Sequence, residues 1–130
     1  MDKIWKALLM SLSASLEGKI HGIYHVVPQG AKPPYITLSL DPIITSNLLP
    51  IGFQRKVITG TVDIWSSHKG LQELSSLMSL VKDVLEPKSF EFDPEGSGLV
   101  KITEQKIWPP DPKLYPLQRG SMSFKILIRS

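Results

Sequence analysis

The chain has no cysteine. No disulfide framework can staple it, and no thiolate can hold a metal in it. It has no apolar run near the roughly 18 residues that a membrane span requires, so no membrane partner is expected. It also lacks any block of one charge. Its 15 Lys and Arg stand against 12 Asp and Glu, and the basic residues are scattered singly except for the pair Arg55–Lys56. That distribution excludes the basic helix or stripe of a dedicated nucleic-acid binder, although a fold or an assembly can still gather scattered charges on one surface. Internal repeats and low-complexity tracts are absent too. A hydrophobic fraction of 42% excludes global disorder. At 130 residues the expectation is one domain, 1–130, with a single core.

The residues of catalysis are equally sparse. His21 and His25 stand four apart and His68 stands alone, with no third ligand at a metal-binding spacing. Asp93 and Asp111 sit beside prolines, where Asp supports turns. Gly96-Ser97-Gly98 follows no strand and is too short for a phosphate loop. Ser66, Ser67 and His68 suggest a nucleophile, but no G-x-S-x-G surrounds them, and serines at a helix start cap free amides. No acid, base, nucleophile or metal set converges, so neither an enzyme nor a cofactor is expected.

What is present is a strong pattern over 59–86, TGTVDIWSSHKGLQELSSLMSLVKDVLE. Ile58, Val62 and Ile64 alternate with Thr59, Thr61 and Asp63, the period of a half-buried strand. After Ser66–Ser67 the period changes. Leu71, Leu74, Met78, Val81 and Leu85, widened by Leu77, Leu80 and Val84, cover about half of a helical wheel. Glu73 alone strays to the apolar edge. Pro87 stops this helix.

The first residues, MDKIWKALLMSLSASLEG, have the lysine, apolar and small-residue order of a signal peptide. Asp2 and the interrupting serines argue against that reading. Ile4, Leu8, Leu12 and Leu16, with Trp5 and Leu9, share one helical face, so a helix over 3–16 stopped by Gly18 is expected. A short edge strand can form near 23–26. Residues 28–34 break regular structure with prolines, and 35–40 (YITLSL) alternate as a strand. Residues 89–98 read as an acidic, Gly-containing linker. Residues 99–108 alternate imperfectly, and a bulge near Glu104–Gln105 would return Ile107 to the apolar face. Residues 121–129 form a last strand with Met122, Phe124, Ile126 and Ile128 inward; Leu127 interrupts its polar face. The expected fold is α+β: an antiparallel or mixed sheet of about four strands with two helices on one face, in the order α-β-β-α-β-β.

Two connections are unusually apolar. The segment 43–56 carries Ile43, Ile44, Leu48, Leu49, Ile51 and Phe53, with Pro50 and Gly52 opposing one continuous element. The Pro-rich segment 109–120 carries Leu114, Tyr115 and Leu117. Apolar surface loops mark contacts, although 43–56 can equally fold back over its own core. Asp63 is either a solvated strand residue paired with Lys125 or Lys101, or one half of an ion pair between subunits. Trp5, Trp65 and Trp108 are expected to be half-buried with their N–H groups bonded.

These residues also follow the pattern of a known family. Val27-Pro28-Gln29-Gly30 precedes Pro33-Pro34-Tyr35-Ile36; Val62-Asp63-Ile64-Trp65-Ser66 runs into a helix; Leu114-Tyr115-Pro116 leads to Phe124-Lys125-Ile126. In this order and spacing, nearly the whole chain resembles the tail-completion, or tail-terminator, proteins of long-tailed bacteriophages, prophages and gene transfer agents. The resemblance implies an α+β subunit, usually in a hexameric ring on the head-proximal end of the tail tube. Such a ring stops tube polymerisation and meets the head-tail connector protein. Its partners would be further copies of the chain, the major tail tube protein and the connector, with DNA passing through the lumen unheld. It would be a virion component assembled in the bacterial host cytoplasm, with no catalytic residues. The apolar segment 43–53 is longer than in many members. The alternative function is a small nucleic-acid-binding domain using Trp65, Lys101, Lys125 and Arg129 on the outer sheet face.

Overall fold

The structure is a computed structural model and describes residues 2–41, 44–46, 55–67, 71–86, 89–91, 97–109, 113 and 117–129. Helix α1 spans Asp2–Ser15 and α2 spans Gln72–Leu85. The strands are β1 (Ile23–Tyr24), β2 (Tyr35–Leu40), β3 (Ile44–Ser46), β4 (Arg55–Ser66), β5 (Ser89–Glu91), β6 (Ser97–Ile107) and β7 (Gln118–Arg129). They form one mixed sheet in the order β1-β2-β4-β7-β6-β5. β1 pairs with β2 in parallel, and every other pairing is antiparallel. β3 follows β2 along the same margin of β4, so β2 and β3 act as one strand interrupted at Asp41. The Asp41 N–H donates to the Thr59 carbonyl at 2.8 Å and the Thr59 hydroxyl to Asp41 Oδ2 at 2.8 Å, which anchors the interruption.

The α+β class and the mixed sheet with both helices on one face agree with the sequence, but the count and order of strands do not. Among the described residues there are seven strands, in the order α-β-β-β-β-α-β-β-β. β1 lies where a short edge strand near 23–26 is expected, while the additional β3 and β5 have three residues each, too few to display alternation. β5 lies in the stretch that reads as an acidic linker, and it is held there by buried Phe90 and by pairing to β6.

The core lies between the helices and the inner sheet face. Ile4, Leu8, Leu12 and Leu16 of the N-terminal segment are fully buried, and Gly18, at φ 79°, ends it in the left-handed conformation that glycine adopts freely. From α2 come Leu74, Leu77, Met78, Val81, Val84 and Leu85. The sheet answers with Ile36, Leu38, Ile58, Val62, Ile64, Val100, Met122, Phe124, Ile126 and Ile128. Each large aliphatic side chain buried in this way contributes roughly 1.5–3 kcal/mol before entropy is counted. The Phe124 ring lies over Gly60, where a Cβ would come within 2.6 Å of Cζ. The Trp5 indole N–H donates to the Leu38 carbonyl at 3.0 Å and ties α1 to β2.

The bulge in β6 falls between Ile102 and Glu104, one position earlier than expected. It carries Ile107 to the helix side, where Ile107 remains 42% exposed because Ser75 and Ser79 of α2 are too short to cover it. Neither Ser66, the last residue of β4, nor Ser67 is the N-cap of α2. Leu71 is the N-cap, without a side-chain bond, while the buried Ser66 hydroxyl donates to Glu73 Oε1 at 2.6 Å. That bond accounts for the one acidic residue on the apolar edge of the helix. No described helix is long and apolar enough to cross a membrane.

Candidate assembly surfaces

The outer sheet face carries its side chains in rows across the strands. Nearest the Arg55–Arg129–Ser97 end, Val57, Leu127 and Leu99 form an apolar row, and Ile44 pairs in register with Val57. Leu127, the apolar interruption of the last strand, therefore belongs to a patch; Leu99 beside it is 44% exposed. The next row sets Lys101 directly opposite Lys125, with Thr59 beyond. Ser123, Thr61 and Ser39 follow.

Toward the Ser66–Gln118 end the face becomes aromatic. Asp63 accepts from Arg119 Nε at Oδ1 and from Nη2 at Oδ2, both at 3.2 Å. The Ser121 hydroxyl donates to the same carboxylate, and the Trp108 indole donates to Ser121 Oγ at 2.6 Å. The Arg119 guanidinium lies between two indoles, with Cζ 4.6 Å from the Trp108 centroid and 5.2 Å from that of Trp65. Lys106 Nζ stands 3.8 Å over Trp108. On the other side Trp65 stacks on Tyr35 at 6.2 Å and donates to Thr37 Oγ1 at 3.3 Å, and Tyr35 meets Tyr24 edge-on at 6.0 Å. Burial, and then Tyr24, push the Tyr35 phenol above its usual value of 10.0, so it stays neutral at physiological pH. The outcome is one ladder across β1, β2, β4, β7 and β6: Tyr24, Tyr35, Trp65, Arg119, Trp108, Lys106. Tyr, Trp and Arg are the types enriched at energetically dominant contact positions.

All three indoles are bonded through nitrogen, as expected. Asp63 has Arg119 as its partner, rather than Lys101 or Lys125. Arg119 lies outside the clear alternation of 121–129, although β7 begins at Gln118. Extending its alternation back across Gly120 places Arg119 on the outward face, and that was the available signal. Among the described residues, those expected on a nucleic-acid face are only partly brought together. Lys101 and Lys125 stand together, but Trp65 lies at the far end of β4 with its face against Tyr35. Among the described residues, no three His, Asp or Glu come close enough to share a metal.

The two apolar connections leave opposite ends of the sheet. The β3–β4 connection departs after Ser46 and returns at Arg55, the end where Arg129 and Ser97 pair. The β6–β7 connection departs beyond Ile107 and returns at Gln118, the end where Ser66 pairs. Of the expected contact residues, Ile44 lies in β3 and Leu117 is half-buried just before β7. Ile43, Leu48, Leu49, Ile51, Phe53, Leu114 and Tyr115 lie outside the described residues.

Comparison with curated proteins finds no match. Among solved structures, the chain is similar to one from the virion of a native gene transfer agent particle. The TM-score is 0.70 at 14% identity, over 96% of this chain and 93% of that one, which establishes a shared fold. The family model of tail completion protein gp17 matches residues 4–128. That match takes in both helices, the sheet up to Ile128 and both apolar connections; the chain belongs to the tail completion protein gp17 family.

Proposed function

We propose that the chain is the subunit of a tail terminator: copies close into a ring, a hexamer by family resemblance, on the head-proximal end of the tail tube. The ring stops tube polymerisation and offers its other side to the head-tail connector. Its lumen lets DNA pass without holding it. The subunit would be a virion component, assembled in the host cytoplasm, with a structural rather than catalytic role.

The observation that carries this reading is the placement of the two apolar connections at opposite ends of one sheet. A rigid sheet with an apolar segment at each end suits a subunit that meets different partners above and below. One end would use Ile43, Ile44, Leu48, Leu49, Ile51 and Phe53. The other would use Leu114, Tyr115 and Leu117, with the Asp63–Arg119 cluster facing a neighbour nearby.

The test is tube length. Wild-type protein added to polymerising tail-tube protein should cap tubes and appear as rings in electron micrographs. Leu48→Asp with Leu49→Asp should abolish capping while circular dichroism and size report a folded subunit. Tubes that keep growing in the presence of persistently monomeric wild-type protein would overturn the proposal.

A further inference from the structure

The sheet closes its two margins unequally. On the β6 margin, β5 covers only Ser97, Gly98 and Leu99, and the Glu86 carboxylate accepts the Ile102 N–H at 2.7 Å. Past the bulge, no described strand lies outside β6. The Trp108 N–H donates inward to the Arg119 carbonyl at 2.9 Å. Main-chain groups alternate in direction along a strand, so Gln105 and Ile107 turn their N–H and C=O groups outward. Residues 103–109 are all exposed. A row of this kind is a template for another strand.

Beside this margin runs an open groove of about 560 Å³, lined by Ser75, Met78, Ser79, Lys82, Gln105, Lys106 and Ile107. Met78 and Ile107 give it an apolar floor. Ser75 and Ser79 are too short to obstruct an incoming backbone. The margin therefore offers main-chain partners and a place for side chains, the two requirements of strand addition.

The opposite margin is open in a complementary place. β1 covers Ile36 and Thr37 alone, and the Trp5 indole occupies the Leu38 carbonyl. Among the described residues, no strand lies outside Leu40 or β3. Among the described residues, one chain thus carries two unlike uncovered edges on opposite margins, and a contact between unlike patches repeats head to tail. β2 is antiparallel to β4, β4 to β7 and β7 to β6, so β6 runs opposite to β2. Rotation of a copy about an axis along the strands preserves these directions, so the β6 of one copy would meet β2–β3 of the next antiparallel. The open stretches differ in height: Glu104 and Ile107 are level with Ser123 and Gly120, while Leu40 and Ile44 are level with Gly60 and Val57. A stagger of this kind closes when strands tilt against the axis, as they do in barrels.

We propose that residues 104–107 of β6 form the lateral seam of the ring, taking the free edge at Leu40 and β3 of a second copy as an antiparallel strand beside α2. This rests on the ring reading above.

The test uses the full chain and two variants. Gln105→Pro removes an outward N–H, while the β6–β7 ladder, made by the alternate residues, stays whole. Ser79→Arg fills the groove from an exposed helix position and leaves the backbone alone. Both should lose the oligomer in sizing and native mass measurements and keep the wild-type circular dichroism spectrum. In the wild type, the Gln105 and Ile107 amides should exchange hydrogen more slowly once assembled. If the wild type forms rings, both variants assemble equally well and those amides still exchange fast, the seam lies elsewhere and the ring reading survives. If the wild type forms no ring, alone or on tube ends, the ring reading falls and the seam with it. Should Gln105→Pro fail to fold, Ser79→Arg and the exchange measurement decide.

Discussion

Asp63 on β4 and Arg119 on β7 meet as a fork, two N–H groups on two carboxylate oxygens at 3.2 Å, although the residue opposite Asp63 in the ladder is Ser121. The contact is diagonal. It draws the guanidinium across Trp65 and toward Trp108, so one side chain joins β4 and β7 to the residue that follows β6. Lysine cannot replace it, since a point charge neither forks nor stacks. Arg119→Lys should cost about 1 kcal/mol and Arg119→Ala about 1–2 kcal/mol, modest values because the guanidinium side chain is 34% exposed. Urea denaturation followed by tryptophan fluorescence measures both. Equal stability of the lysine variant and wild type would show that fork and stack contribute nothing.

The elements legible in the sequence were those with enough residues to show a period. α1, α2, β2 and the middle of β4 and β7 announce themselves through Ile4-Leu8-Leu12-Leu16, through Leu74-Met78-Val81-Leu85 and through alternation. β1 was legible only as a short edge strand near 23–26, and β3 and β5 have no such run; all three pair with a neighbouring strand. The ladder from Tyr24 to Lys106 was illegible for another reason: its members come from five strands, and only sheet order and register bring them together. Asp63 stood out in sequence as an acid among Thr, Val and Ile, but its partner follows from the topology. The apolar segments were visible as composition, whereas their positions at opposite ends of the sheet required the pairings Arg55–Arg129 and Ser66–Gln118.

Glu73 supplies a test in which pattern and structure disagree. The apolar stripe of α2 suggests that Glu73→Leu should stabilise the helix face. The structure indicates the opposite, because Glu73 accepts a 2.6 Å bond from the buried Ser66 hydroxyl. The expected result is a loss of about 1 kcal/mol in a denaturation curve. Glu73→Gln, which keeps an acceptor oxygen, should lose less. A stabilised leucine variant would reduce this bond to an incidental contact.

Two glycines should respond differently to the same added methyl group. At Gly60 a Cβ would meet Phe124 Cζ at 2.6 Å and the Ser39 carbonyl oxygen at 2.7 Å, and the second of these is backbone within a paired strand. At Gly120 the nearest atom is Met78 Sδ at 2.6 Å, the adaptable part of a flexible side chain. Gly60→Ala should cost roughly 2–3 kcal/mol and Gly120→Ala under about 1 kcal/mol. Thermal melts of the two variants side by side give the comparison. Equal losses would mean that Met78 is as immobile as the β2 backbone.

Glu86 does the work of a missing strand. Its carboxylate takes the Ile102 N–H at 2.7 Å where β5 has ended and the open stretch of β6 has not begun. Glu86→Ala should therefore do two things. The lost charge-assisted bond should lower stability by roughly 1–2 kcal/mol. The free margin should also lengthen from Gln105 back to Ile102, and longer free edges pair without discrimination. The expected sign is concentration-dependent light scattering from irregular assemblies, in a variant that still folds at low concentration. Glu86→Gln retains an acceptor oxygen and should stay clear of both effects. If Glu86→Ala lowers stability but never aggregates, Glu86 serves only to satisfy one amide, and the margin beyond the bulge is protected by another feature.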